Sequence, residues 1–415
     1  MMIKRIATVL CLFLSVCFAL PQQGFAFETA QNDPYLLFTG LSALPQAAET
    51  AAEQDAAAEA AAAISLTADC AILIERETGQ VLYEKNADAS HAVASITKVM
   101  TLLLTVEALE AGKISLEDEV VTSEHAYSMG GSQIWLEPGE VMTVDELMRA
   151  VCVQSANDAA VALAEAVSGS EESFVAAMNA KAAQLGMKNT TFKNANGLDA
   201  EGHMSCARDV AIMSDALLQH ALIRDYCTIW TDSLRGGETQ LTNTNKMLKS
   251  YSGITGLKTG TTNKAGVCIA ASAERGGMEL IAVVLGCPDS KSRFADAAKL
   301  LDHGFAYYEL APLQLPAENV TPVRVKRGTE QYCRYDCALP KAVLVPKGKA
   351  DAVHLEITLA DQVEAPVQAG QQLGSVGVYL DGRLLQSYPV CAAQDTPEMR
   401  FADAFVQLLR GFLCM

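Results

Sequence analysis

The sequence predicts an α+β fold: an antiparallel sheet assembled from both ends of one long domain with helices between, then a small all-β domain and an amphipathic C-terminal helix. Three observations predict it. Apolar strand patterns stand near 70–85 and 265–287, with helical patterns between them. From about 313 the texture changes to short strands separated by turn signals, as in a β-sandwich or barrel. The last segment, "MRFADAFVQLLRGFLCM", has helical period, with Phe401, Phe405, Leu408, Leu409 and Phe412 on one face.

The 415 residues are 50% hydrophobic and 19% charged, a globular composition with room for two or three domains. The net charge of -18 gives nothing for phosphates to attract, and no basic patch carries interleaved aromatics. No nucleic acid partner is expected.

Taken in order, residues 1–26 read as a secretory signal. Lys4 and Arg5 precede the apolar run "IATVLCLFLSVCFAL", and Gly24-Phe25-Ala26 offers small residues for cleavage. An uncleaved anchor is the alternative, although the run is short for a span. Residues 27–64, rich in alanine and glutamate without a large apolar face, read as a linker. "CAILIERETGQVLYEKN" is a hairpin about Glu77-Thr78-Gly79-Gln80. A helix is expected from Ser95 to Gly112. A helical region follows from Thr143, where Thr143 and Glu146 form a capping box. "EESFVAAMNAKAAQLG" and "ARDVAIMSDALLQHAL" are further helices. "AGVCIAASAERGGMELIAVVLGC" is two strands about Gly276-Gly277, and "SRFADAAKLLDHGFAYY" closes the domain as a helix. The expected boundaries are 65–310 for this domain, 311–393 for the β-domain and 394–415 for the last helix. That helix is too short and charged to span a bilayer but suits lying on one; docking on the β-domain is the alternative.

Of the 12 cysteines, Cys11 and Cys17 fall in the signal. The others are irregularly spaced with no C-x-x-C, so mostly free, buried thiols are expected, with Cys333 and Cys337 the candidate local pair. The six histidines form no ligand-spaced cluster, so neither metal nor cofactor is expected.

The chemistry lies in three short motifs: Ser95-x-x-Lys98, Ser155-Ala156-Asn157 and Lys258-Thr259-Gly260. Each alone is weak, but their order and spacing are not. On a helix, residues three apart share a face, so Lys98 can reach the Ser95 hydroxyl. Serine is a poor nucleophile until a base takes its proton. Lysine is that base only when neutral, which burial and a second cation both favour. Lys258 is the natural second cation. The N–H groups of the helix start near Ser95 can hold an oxyanion.

This set is the signature of penicillin-binding proteins and serine β-lactamases. With "ASITKVMT", "GGSQIWLEPGE", "QSANDAAVALAE", "NANGLDAEGH", "GLKTGTTNKAG" and "LIAVVLGC", the chain from about 68 onward resembles a D-alanyl-D-alanine carboxypeptidase, a low-molecular-mass penicillin-binding protein. "APVQAGQQLGSVGV" resembles the family's C-terminal β-domain. The resemblance implies a penicillin-binding, β-lactamase-like transpeptidase fold with a helical subdomain. It implies that Ser95 attacks the penultimate D-alanine carbonyl of the peptidoglycan stem pentapeptide and becomes the acyl-enzyme. Lys98 would be the base, Ser155 a proton relay, and Asn157 would orient Lys98 and the substrate amide. Lys258, Thr259, Gly260 and Thr261 would bind substrate, Lys258 and Thr259 holding its terminal carboxylate. The oxyanion hole would be the N–H groups of Ser95 and Thr261. β-Lactam antibiotics would acylate the same serine. The protein would be exported and peripheral on the outer face of the cytoplasmic membrane.

Two departures stand out: Val93 where many members have proline, and Thr261 where some have histidine. The rivals are a β-lactamase-like hydrolase, for which no E-x-x-L-N segment follows Asn157, and a non-catalytic wall-binding or sensor protein. Cys152 could be a nucleophile but lacks a nearby histidine in sequence, so packing is the preferred reading. Trp135 borders the cleft or fills the domain; the sequence favours neither.

Overall fold

The computed structural model describes residues 64–315, 322–401 and 403–405. The expected signal, the linker up to residue 63 and, in the expected C-terminal helix, residues 402 and 406–415 lie outside the described residues.

The first domain is built on a five-stranded antiparallel sheet in the order β2-β1-β9-β8-β7. Its strands are β1 (Cys70–Glu75), β2 (Val81–Lys85), β7 (Ile254–Thr262), β8 (Gly266–Arg275) and β9 (Met278–Cys287). Between the two sheet halves run two small hairpins. One pairs β3 (Glu119–Val121) with β4 (Val141–Thr143), the other β5 (Thr231–Leu234) with β6 (Thr239–Thr242). The helices are α1 (Lys98–Glu110), α2 (Glu124–Tyr127), α3 (Val144–Arg149), α4 (Asn157–Ser168), α5 (Glu171–Gln184), α6 (Ala207–Leu218), α7 (Ala221–Cys227) and α8 (Met247–Ser250). The helix α9 (Ser290–Tyr307) follows the last strand.

β1 pairs with β9 from Cys70 opposite Leu285 to Glu75 opposite Leu280, so the N-terminal hairpin docks on strands some 200 positions later. Asp296 on α9 fixes the same junction, accepting from the Thr67 amide at 2.7 Å, its hydroxyl at 2.8 Å and the Ala68 amide at 3.1 Å. Strand β9 is apolar from Leu280 to Leu285 because both its faces are covered. Leu280, Ala282 and Val284 pack with Ala297, Leu300 and Leu301 of α9. Ile281, Val283 and Leu285 point to the other face, where α6 packs on β1 and β9, and α1 packs on α6 and α4.

The capping box at Thr143 is present, with the Glu146 amide donating to Thr143 Oγ1 and the Thr143 amide to Glu146. The helical region that starts there does not run on to Val167. A π-turn over Ala150–Gln154 ends at Ser155, whose φ of 61° breaks the helix before α4 begins.

α9 leads straight into β10 (Tyr308–Pro312), which already belongs to the second, all-β part: it pairs with β14 (Ala342–Pro346). A three-stranded sheet joins β12 (Tyr332–Cys333), β11 (Val323–Lys326) and β16 (Gln362–Glu364). A four-stranded sheet joins β13 (Tyr335–Cys337), β18 (Arg383–Ala392), β17 (Gln372–Leu380) and β15 (Val353–Leu359). Two small cores fill this part, one around Val345, Val378 and Leu380, the other around Val323, Cys333 and Leu373.

The candidate bridge between Cys333 and Cys337 is corrected: both are free thiols. The strands explain this. Cys333 is buried in the core of the three-stranded sheet, whereas Cys337 sits on β13, at the edge of the other sheet. Among the described residues, no helix is long and apolar enough to cross a membrane.

Candidate active site

Ser95 does not open the helix, as the sequence suggested. Ala94 takes a left-handed φ of 49° and starts a 3-10 turn over Ala94–Thr97; α1 begins only at Lys98. Two backbones press on this turn. A Cβ on Gly197 would stand 1.9 Å from the Ala94 carbonyl oxygen, and one on Gly260 would stand 2.8 Å from that of Val93. Glycine is required at both positions by close approach of main chains.

Lys98 is fully buried. Its Nζ lies 3.0 Å from Ser95 Oγ, 2.5 Å from Asn157 Oδ1 and 2.6 Å from the Asn196 carbonyl oxygen. Two of these three partners can only accept. A neutral amine has two N–H bonds, which the Asn157 and Asn196 oxygens take. Its lone pair is then left facing the Ser95 hydroxyl. The environment favours that state. Burial pushes the Lys98 amine well below its usual range, the Lys258 charge pushes further, and Asp158 opposes them.

Asn157, first residue of α4, is held at three points. Besides Lys98, its Nδ2 donates to the Gly130 carbonyl at 2.6 Å and its amide to that of Ser132 at 2.7 Å. Ser155, in its left-handed corner, is 5% exposed, and its hydroxyl makes no hydrogen bond among the described residues.

The third motif lies on β7, the outer strand of the sheet, with one edge open to pair with an extended peptide. Lys258 is buried, its amine donating to the Thr259 carbonyl at 3.1 Å. Burial lowers its pKa to about 8; the neighbouring thiols of Cys152 and Cys227 act upward and Arg293 downward. Thr259 Oγ1 donates to Thr244 Oγ1 at 2.7 Å, and Thr261 Oγ1 to the Gly260 carbonyl at 2.8 Å. Arg293 reaches from α9 to donate to the carbonyls of Gly260 and Cys268, each at 3.2 Å. Cys152 is buried, and a hydrogen bond with the Cys227 thiol together with burial pushes its own thiol well above the usual range, which does not suit a nucleophile.

The eight residues named from sequence thus fall on three segments that meet: the turn at 94–98, the corner at 155–157 and strand β7. Sequence reasoning did not single out Asn196, Asp158, Thr244 or Arg293. Asn196 acts through its carbonyl, which any residue would supply, and only the required Gly197 beside it leaves a trace in the sequence.

A buried lysine 3.0 Å from a serine hydroxyl, beside an outer strand that carries a second buried lysine, fits a serine acyl-transfer enzyme of the penicillin-recognising class. Residues 54–289 match the family model described as D-alanyl-D-alanine carboxypeptidase, and residues 314–398 match that of the penicillin-binding protein 5 C-terminal domain. D-alanyl-D-alanine carboxypeptidase DacF of Bacillus subtilis is 45% identical over 88% of this chain and 94% of its own length. The crystal structure of penicillin binding protein 5 from Haemophilus influenzae is 32% identical, covers 81% of this chain and 99% of that one, and superposes with a TM-score of 0.74. Penicillin-binding protein D2 from Listeria monocytogenes, solved in a cefotaxime-bound form, is 34% identical with a TM-score of 0.54, covering 58% of this chain and 98% of that one. The chain belongs to the D-alanyl-D-alanine carboxypeptidase family. It is a serine-type peptidase acting on peptidoglycan, and its place is extracytoplasmic, where that polymer lies.

Proposed function

We propose that Ser95 is the nucleophile that takes the penultimate D-alanine carbonyl of a stem pentapeptide, with neutral Lys98 as its base. The observation that carries this is the 3.0 Å contact of Lys98 Nζ with Ser95 Oγ, beside two oxygens able to take both N–H bonds of a neutral amine. Ser155 relays the proton to the leaving D-alanine. Asn157 fixes Lys98 and orients the substrate amide. Lys258 and Thr259 hold the terminal carboxylate, with Gly260 and Thr261 completing the binding strand. The N–H groups of Ser95 and Thr261 stabilise the oxyanion. Water then releases the shortened peptide. A β-lactam, whose ring presents the same acyl and carboxylate groups, acylates the same serine, as the bound cefotaxime of the Listeria relative suggests.

Around this centre we read residues 1–26 as a cleaved signal and 27–64 as a linker. We take the catalytic domain to end with α9 at Tyr307 and the β-domain to run from β10 to the bridge at Glu398, in place of the expected 311–393, with the segment beyond as a helix on the outer face of the cytoplasmic membrane. Phe401 and Phe405 support the membrane reading: both are exposed and their rings stack at 6.4 Å between centroids.

Ser95→Ala tests the assignment. D-alanine release from a pentapeptide and covalent mass gain with penicillin should both vanish while the fold persists. Release that survived would show another nucleophile. Deleting residues 396–415 should move the protein from the membrane to the soluble fraction; unchanged partitioning would contradict the anchor.

A further inference from the structure

Trp135 is 76% exposed, yet the backbone that carries it is fixed from the interior. Ile134 and Leu136 on either side are each 1% exposed, and the amides of both donate to the Asp158 carboxylate at 3.1 Å. Asp158 is itself 1% exposed. Arg235 donates to the Ile134 carbonyl at 3.0 Å and to that of Trp135 at 3.4 Å, and is held in turn by Glu140 at 2.6 Å. Trp135 has a φ of 60°, a conformation that bulky residues rarely adopt. Buried groups therefore hold the chain in a left-handed turn that presents an indole to solvent. Strain of this kind concentrates at sites that contact ligands.

The place of the turn gives the ring a partner. The same short segment contributes the Gly130 and Ser132 carbonyls that hold Asn157, and Asp158 follows Asn157 on α4. Trp135 stands five positions after Gly130, a span of at most about 18 Å and less for a chain that turns. On the proposed roles, with the substrate carboxylate at Lys258 and Thr259, its scissile carbonyl at Ser95 and its amide at Asn157, the acyl side of the peptide runs past Asn157.

We propose that Trp135 is a substrate-contact residue that packs its indole on the stem-peptide residues upstream of the two D-alanines. This rests on the carboxypeptidase reading and adds the part of the substrate read outside the acylation centre. A rigid aromatic suits the task, since little freedom is lost when a flexible peptide settles on it.

Trp135→Ala and Trp135→Phe should be compared on three substrates: an N-acyl-D-Ala-D-Ala, the stem pentapeptide and its disaccharide form. The alanine variant should lose about two- to tenfold in kcat/KM on the pentapeptide, mainly through KM, the range expected of one aromatic contact. It should match the wild type on the acyl dipeptide, and phenylalanine should restore most of the loss. Equal effects on dipeptide and pentapeptide, or a loss confined to the disaccharide form, would overturn the proposal. Wild-type protein that released no D-alanine from any of them would overturn the carboxypeptidase reading instead. Fluorescence gives a readout that keeps the indole: in a Ser95→Ala, Trp230→Phe double variant, Trp135 is the one remaining tryptophan. Its emission should shift with the pentapeptide and not with the acyl dipeptide, and no shift with the pentapeptide contradicts the contact.

Discussion

The turn at 94–98 and the strand at 258–261 each bury a lysine, and the two amines are treated differently. Lys98 has three polar partners, two of them carbonyl-type oxygens, while Lys258 has one backbone carbonyl and two thiols for neighbours. Burial is the first cause of a lowered pKa at both. At Lys98 the charge of Lys258 adds to it, and the amine falls well below its usual range. At Lys258 the thiols partly offset it, and the value rests at about 8. Burial alone therefore does not decide a lysine's role. What surrounds the amine decides whether it serves as a base or as a cation that meets a carboxylate.

The largest expected effect breaks the Lys98 side. Lys98→Ala should slow acylation by penicillin on the order of 10²- to 10⁴-fold, the range of a lost general base. Lys98→Arg should do no better, because a guanidinium stays charged. Stopped-flow or intact-mass time courses measure both. Gly197→Ala strikes the same turn from behind: a Cβ 1.9 Å from the Ala94 oxygen cannot be placed without moving the main chain. A loss of about 2–4 kcal/mol in unfolding free energy is expected, from overpacking plus the strain of a left-handed alanine. Urea melts would show it, together with slowed acylation.

The Lys258 side is sharpened by pH. As pH falls, Lys98 gains a proton and kcat/KM drops. As pH rises through about 8, Lys258 loses its charge and carboxylate binding weakens. Lys258→Arg should move the alkaline limb beyond the accessible range while leaving the acid limb in place. The smallest effect is Thr244→Val, which removes the acceptor of the Thr259 hydroxyl. A two- to tenfold rise in KM is expected, equivalent to about 0.5–1.5 kcal/mol for one hydrogen bond.

The comparison also separates what the sequence made legible from what it did not. Ser95 and Lys98 were legible because three-residue spacing brings them together in any helical turn, and the structure keeps that proximity although the turn is 3-10. The sheet built from distant strands was legible from the apolar runs of β1, β8 and β9. The break at Ser155 was hidden inside an uninterrupted helical pattern, because a left-handed serine leaves no mark in composition. Asn196, Thr244 and Arg293 were hidden for another reason: one offers a backbone oxygen, one a hydroxyl and one a guanidinium to backbone oxygens, across 98, 15 and 33 positions of chain. The expected Cys333–Cys337 pair failed because nearness in sequence ignores that the two strands enter different sheets.

The central claim is that Lys98 is neutral beside Ser95 at working pH, and the ionisation of that one amine tests it most directly. The protein can be labelled with lysine carrying carbon-13 at Cε, and the Lys98 signal identified by its loss in Lys98→Arg. The account predicts that this carbon shows the shift of a neutral amine at pH 7.5 and titrates well below the surface lysines. A Lys98 signal that stayed at the ammonium position until about pH 10, where an ordinary lysine titrates, would contradict it.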